Sequence, residues 1–251
     1  MARQLLFLLS FVCSILSGSY AEAGRVKRLV FIPGLHRHQN LQKIDRPFQH
    51  HLKRFGARAA VAPINRKLPP KKNEKALRLF LKEQGKDTAV IAWSGGGLQV
   101  GHTLLVDTKL RDSIPAVITL ATPFQGARAA AVTLRLRKRK NSRSKSTLIS
   151  RELAPYDTVR ALTPLFRQEA LSRNLAEWKS LVDQVRFTTV GMLEDRVVRA
   201  PEAHLPLDGL GKYARFDLEG LAHEDLVMPD FSAEEQMSRF DALLKRAGVD
   251  F

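Results

Sequence analysis

Cysteine is almost missing: the chain has one in 251 residues, Cys13, and it falls in a leader-like opening segment. The preceding Ser10-Phe11-Val12 does not resemble a lipoprotein-attachment sequence. Past that leader no thiol remains, which excludes a disulfide, a thiolate nucleophile and a cysteine-type zinc site. Long apolar runs are missing too, since no later segment offers the ~20 consecutive apolar residues of a membrane helix. Acid is scarce: 25 Asp and Glu face 41 Lys and Arg, for a formal charge of +16 and a pI near 10.4. That balance favours anionic partners such as phospholipid, lipopolysaccharide, acidic polymer or nucleic acid, without choosing among them. The densest basic stretch, residues 134–146, carries no aromatic side chain on which a base would stack, so nucleic acid is not an expected partner.

The opening residues read as a signal peptide: Arg3 is a positive start, residues 5–16 are apolar, and Ser19-Tyr20-Ala21 is a small-x-small cleavage site. Losing residues 1–21 removes only Arg3 from the charge count, leaving +15 of the +16. The expectation is an exported mature chain, residues 22–251, in the periplasm or the medium. With 44% hydrophobic residues it is long enough for one sizeable core, so one domain is expected.

Apolar runs at 28–33, 57–64, 89–93, 116–122, 185–191 and 214–218 read as strands. Between them, helical patterns fall at 41–55, after an N-cap at Asn73, and after Ser94, with a last amphipathic helix at 232–247. Such alternation implies a mainly parallel sheet with right-handed crossovers, flanked by helices. From Phe124 to Arg186 the strand pattern stops, and the basic 134–146 stretch lies there; Thr163-Pro164 reads as the cap and first residue of one helix running to about Gln184.

The chemistry concentrates at Ala92-Trp93-Ser94-Gly95-Gly96. A serine between a strand and a helix, with small residues two positions either side, has the form of a nucleophile elbow, in which larger flanking side chains would strike the neighbouring strand and helix. A serine hydroxyl needs a base, and the base an orienting carboxylate. Asp195 follows the strand at 185–191 and His223 the strand at 214–218, the order and placement this arrangement requires. Glu194 competes with Asp195, which is preferred because Val197 and Val198 re-enter the core and fix its loop. His204 competes with His223, but no strand delivers it. His50 and His51 fall in a polar helix, and His102 lies two turns beyond Ser94, too deep to reach its hydroxyl. For the oxyanion, the expected donors are the backbone N–H groups of Gly95 and of Leu35, the latter after Pro33-Gly34. His36 and His38 lack a companion cluster of ligands, so no metal is expected there.

These residues resemble the lipases and esterases of the α/β-hydrolase superfamily, particularly small bacterial triacylglycerol-lipase-like proteins. The resemblance covers residues 29–35, 92–97, 117–126, 190–198 and 220–227, and includes Thr122-Pro123-Phe124-Gln125-Gly126, similar to that family's Thr-Pro-His-x-Gly segment. Phe124 stands where histidine is usual, and Pro33 where histidine precedes the glycine. Both departures bear on the acyl pocket and the oxyanion loop. The resemblance implies hydrolysis of carboxylic esters, with lipid or fatty-acyl esters ahead of short soluble ones, without a cofactor, by a monomer. It also implies that residues 124–162 form a lid, whose Leu134, Leu136, Leu148 and Ile149 face the acyl chain while its cations face anionic head groups; a solvated basic loop is the alternative. Two other functions stay open: acyl transfer to or from another group on the same triad, and a non-catalytic envelope protein that binds anionic lipid or lipopolysaccharide.

Overall fold

The computed structural model describes residues 26–34, 58–64, 70–140, 156–221, 223 and 233–249. Six strands, β1 (Arg28–Ile32), β2 (Arg58–Val61), β3 (Thr88–Trp93), β4 (Ala116–Leu120), β5 (Arg186–Met192) and β6 (Tyr213–Leu218), form one sheet in the order β2-β1-β3-β4-β5-β6. Every pairing is parallel. The helices are α1 (Pro70–Gln84), α2 (Gly95–Val106), α3 (Arg128–Lys140), α4 (Tyr156–Ala161), α5 (Pro164–Arg173), α6 (Leu175–Gln184) and α7 (Ala233–Arg246).

The central strands read as unbroken apolar runs because both faces of the sheet are covered. Alternate residues go to opposite sides. Leu29, Phe31, Ile91, Trp93, Ile118 and Leu120 pack with Leu243 and Leu244 of α7. Val30, Ile32, Val90, Ala92 and Val117 pack with Leu77 and Leu81 of α1, Val100 and Leu104 of α2, and Trp178 and Leu181 of α6. Burying each large side chain contributes about 1.5–3 kcal/mol, so the two layers fix the strand ends in space. A third, smaller cluster joins Ala130 of α3 and Val159 of α4 to Val198 and Ala203, on the segment that follows β5.

Two expectations change. The helix capped at Asn73 begins earlier, at Pro70; proline suits the first helical position, where its missing N–H is not needed, and Asn73 lies buried inside the helix. The single helix expected over 164–184 is two. Asn174 interrupts it with φ −114° and ψ 24°, its Nδ2 donating to Ala170 O at 2.7 Å, which satisfies a carbonyl freed by the break. Thr163 and Pro164 do stand as the cap and first residue of α5, without a side-chain capping bond; the Thr163 hydroxyl donates instead to Arg160 O at 2.8 Å. The basic stretch opens inside α3, while residues 141–146 and the expected helix at 41–55 lie outside the described residues, as do the leader, Leu148 and Ile149.

Candidate active site

β3 delivers Ser94 at the carboxyl edge of the sheet, and α2 starts at the next residue. Ser94 has φ 51° and ψ −126°, a conformation rare for a residue with a side chain and one that must be held by its surroundings. The holding contacts are visible. Ser94 N–H donates to Leu120 O of β4 at 2.8 Å, and Gly97 N–H to Ser94 O at 3.1 Å. A Cβ on Gly96 would stand 2.6 Å from both Ile32 O and Pro33 O, and one on Gly34 would stand 2.9 Å from Ser94 Cβ. The backbone after β1 therefore lies directly against the elbow, and only glycine permits that approach. Gly96→Ala is expected to destabilise the fold by about 1–3 kcal/mol, because rigid carbonyl oxygens must give way; a urea unfolding midpoint equal to that of the unaltered chain would refute this packing account.

His223 Nε2 lies 3.1 Å from Ser94 Oγ, and His223 Nδ1 lies 2.6 Å from Asp195 Oδ2. Asp195 Oδ1 accepts Val197 N–H at 2.7 Å and Val198 N–H at 2.9 Å. The Asp195 side chain is fully buried and that of His223 is 5% exposed, so water does not compete for these bonds. Because Asp195 accepts at Nδ1, that nitrogen carries the ring proton, and Nε2 is free to accept the Ser94 hydroxyl hydrogen. The structure thus brings Ser94, His223 and Asp195 into one line. Gly95 opens α2, where the first amides of a helix have no partner within it and the dipole favours negative charge. Leu35, together with His36, His38, His50 and His51, lies outside the described residues.

The two competitors occupy other places. Glu194 is exposed, and its Oε2 accepts Leu221 N–H at 3.0 Å. His204 is buried but ties β5 to β6: its Nδ1 is 2.8 Å from Thr189 Oγ1 and its Nε2 is 2.8 Å from Asp217 Oδ1. Thr189 Oγ1 in turn meets Tyr213 Oη at 2.8 Å, and burial pushes the Tyr213 hydroxyl pKa up. His102 is exposed on α2, where its Nδ1 lies 3.0 Å from Glu74 Oε2.

Phe124, which stands where the resembling family has histidine, belongs to the core. It is fully buried, edge-on to Trp178 and Phe187 at centroid distances of 5.6 and 5.9 Å, contacts worth about 0.5–1.5 kcal/mol each beyond their burial. Sequence patterns do not reveal one further contact at the site: Trp93 Nε1–H donates to His223 O at 2.8 Å, from 130 residues away.

No protein-family model and no curated protein sequence matches the chain. Solved structures do resemble it. A lipase of Bacillus licheniformis in mature form is 16% identical with a TM-score of 0.65, over 90% of this chain and 94% of that one. A metagenomic carboxyl esterase is 15% identical with a TM-score of 0.60, over 92% and 79%. An extracellular α/β-hydrolase from Paenibacillus species is 14% identical with a TM-score of 0.51, over 87% and 98%. The sheet order, the strained serine between β3 and α2 and these similarities lead to one conclusion, that the chain has the α/β-hydrolase fold.

Proposed function

We propose that the protein is an exported serine hydrolase that cleaves carboxylic esters, with lipid or fatty-acyl esters as its substrate class. The observation that carries this reading is the continuous relay from Ser94 Oγ through His223 to Asp195. Ser94 Oγ attacks the ester carbonyl as His223 Nε2 takes its proton. The imidazolium returns that proton to the departing alkoxide, and the acyl group stays on Ser94. Water, deprotonated by the same nitrogen, releases the acid. The N–H groups of Gly95 and Leu35 stabilise the oxyanion, one such donor lowering the barrier by about 2.7–4 kcal/mol. The chemistry is supported by the likeness to a lipase and a carboxyl esterase; export rests on the leader sequence.

The lid assignment is part of the proposal. α3 and α4 follow the loop after β4 and pack on Val198, three residues beyond Asp195. On α3, Val132 and Leu136 are 53% and 55% exposed, beside the exposed Arg128 and Arg135. That mixture favours a second role for this face, contact with an anionic lipid surface, each cation contributing on the order of 1 kcal/mol.

Fluorophosphonate treatment of the purified mature protein is expected to add one adduct by intact mass, located on Ser94. A folded protein that stays unlabelled, hydrolyses no acyl ester and sediments with anionic vesicles in low salt would replace the hydrolase reading with the envelope-binding one. A labelled protein that turns over thioesters or amides faster than esters would move the substrate class, not the triad.

A further inference from the structure

The loop that bears His223 follows the turn after β6, which lies at the end of the sheet farthest from β2. Ser94, by contrast, leaves β3 in the sheet interior, so two intervening strands separate the nucleophile's strand from β6. Something must hold the imidazole at 3.1 Å from Ser94 Oγ, because a misplacement of about 1 Å costs on the order of 10²-fold in rate. The bond to Asp195 orients the ring. It does not by itself hold the main chain from which the ring hangs.

Two contacts do hold that main chain, and they come from equivalent places in the sequence. Trp93, the residue before Ser94, donates its indole N–H to His223 O, and its ring lies 5.3 Å from the imidazole centroid at 45°. Glu194, the residue before Asp195, accepts Leu221 N–H. Its carboxyl is held below the usual range by the amides of Gly220 and Leu221, with its own amide adding to the effect. Trp93, the last residue of β3, is fully buried in the layer that also holds Leu243 and Leu244 of α7; the exposed Glu194 carboxylate holds the turn through Leu221 N–H.

We propose that Trp93 and Glu194 are positioning residues, a two-point clasp by which the residues preceding the nucleophile and the acid fasten the loop that carries the base. The inference rests on the hydrolase reading above. Neither side chain is a member of the Ser94–His223–Asp195 relay itself. Each removes freedom from the His223 backbone: Trp93 fixes its carbonyl, and Glu194 fixes the amide two residues earlier. Main chain held at both points leaves the imidazole only side-chain torsions, and Asp195 sets those.

The test uses the full mature chain with Trp93→Phe, Glu194→Ala, Glu194→Gln and the pair Trp93→Phe/Glu194→Ala. Trp93→Phe keeps a ring in the core and deletes the donor. Glu194→Ala alters an exposed side chain and is the variant least able to disturb folding. On a chromogenic acyl ester, Trp93→Phe is expected to lower kcat by on the order of 10- to 100-fold and Glu194→Ala by about tenfold, with KM within about twofold of the unaltered enzyme. Glu194→Gln, which keeps an acceptor oxygen, is expected to restore most of the loss. The pair is expected to lose less than the product of its single effects, because both act on one loop. A second readout needs no turnover: in a Ser94→Ala background, the low-field proton resonance of the His223–Asp195 hydrogen bond is expected to broaden or disappear in Trp93→Phe and Glu194→Ala. Unchanged kcat with a sharp resonance in folded Trp93→Phe and Glu194→Ala overturns the clasp, and so does a rise in KM alone. Absence of turnover and labelling in the unaltered chain overturns the hydrolase reading instead, and the resonance still decides whether the clasp holds His223.

Discussion

Ser94→Ala is expected to lower kcat for ester hydrolysis by on the order of 10⁶-fold, His223→Ala by about as much, and the double variant by no more than either alone. The three predictions belong together because the hydroxyl and the imidazole act as one unit. Without Ser94 Oγ no acyl-enzyme forms, and the base is left with only bulk water to activate. Without His223, the hydroxyl keeps its proton at neutral pH and attacks as an alcohol. What remains is the contribution of the oxyanion donors and of substrate binding, a residual of roughly 10³- to 10⁴-fold over water. Binding should survive: the KM of Ser94→Ala cannot be read, but its dissociation constant for a non-hydrolysable acyl analogue is expected to stay within a few fold, since Ser94 is half-buried and loses one oxygen. Multiplicative losses in the double variant would mean that the two groups act in separate steps, and the relay would have to be abandoned.

Asp195→Asn is expected to cost about 10⁴-fold in kcat while leaving the melting temperature within a few degrees. Asparagine keeps one oxygen for the Val197 and Val198 amides, which Asp195 Oδ1 now serves, and turns its NH₂ toward His223 Nδ1. A donor in that place requires Nδ1 to accept, so the ring proton moves to Nε2. Nε2–H then points at Ser94 Oγ, and the nitrogen that should receive the serine proton is already occupied. The geometry is intact and the tautomer is wrong. Glu194→Asn, by comparison, should cost no more than the clasp is worth. If the two substitutions have equal effects on kcat, Asp195 is not the orienting acid.

Strands were legible in the sequence because a parallel sheet covered on both faces demands near-continuous apolar runs, and Val90, Ile91 and Val117, Ile118 supply them. Ser94 was legible for a different reason: the steric demand of the turn excludes all but small residues at positions 92 and 96, and that demand leaves a spacing in the sequence. The choice between Glu194 and Asp195 is less accessible. The two are neighbours with the same charge, and what separates them is which way the loop turns to bring two amides onto one carboxylate. His204 shows the same limit: it is buried, with Thr189 and Asp217 as partners 15 and 13 residues away in directions that periodicity cannot specify. The break at Asn174 left no mark in the apolar pattern, because α5 and α6 continue the same type of composition on both sides of it. In the sequence, Trp93 is only the end of an apolar run before Ser94. Its indole nitrogen acquires a role only when the chain returns, 130 residues later, with a carbonyl beside it.

Among the described residues, β6 ends the sheet on the side away from β2. A terminal strand offers a row of unpaired amides and carbonyls to any other chain with an extended segment, and this one is built to refuse such company. Arg215 and Asp217 stand on it as charges, Arg215 paired with Asp208 at 2.9 Å and Asp217 with His204. Phe216 on the same strand is roofed by the Arg246 guanidinium at 4.1 Å from the ring centroid. A protein rich in buried apolar strands is most exposed to self-association while it folds, and here the residues that discourage edge-to-edge growth sit on the edge strand itself. Removing those charges would therefore be felt first as a lower yield of soluble protein, before any change in the chemistry at Ser94.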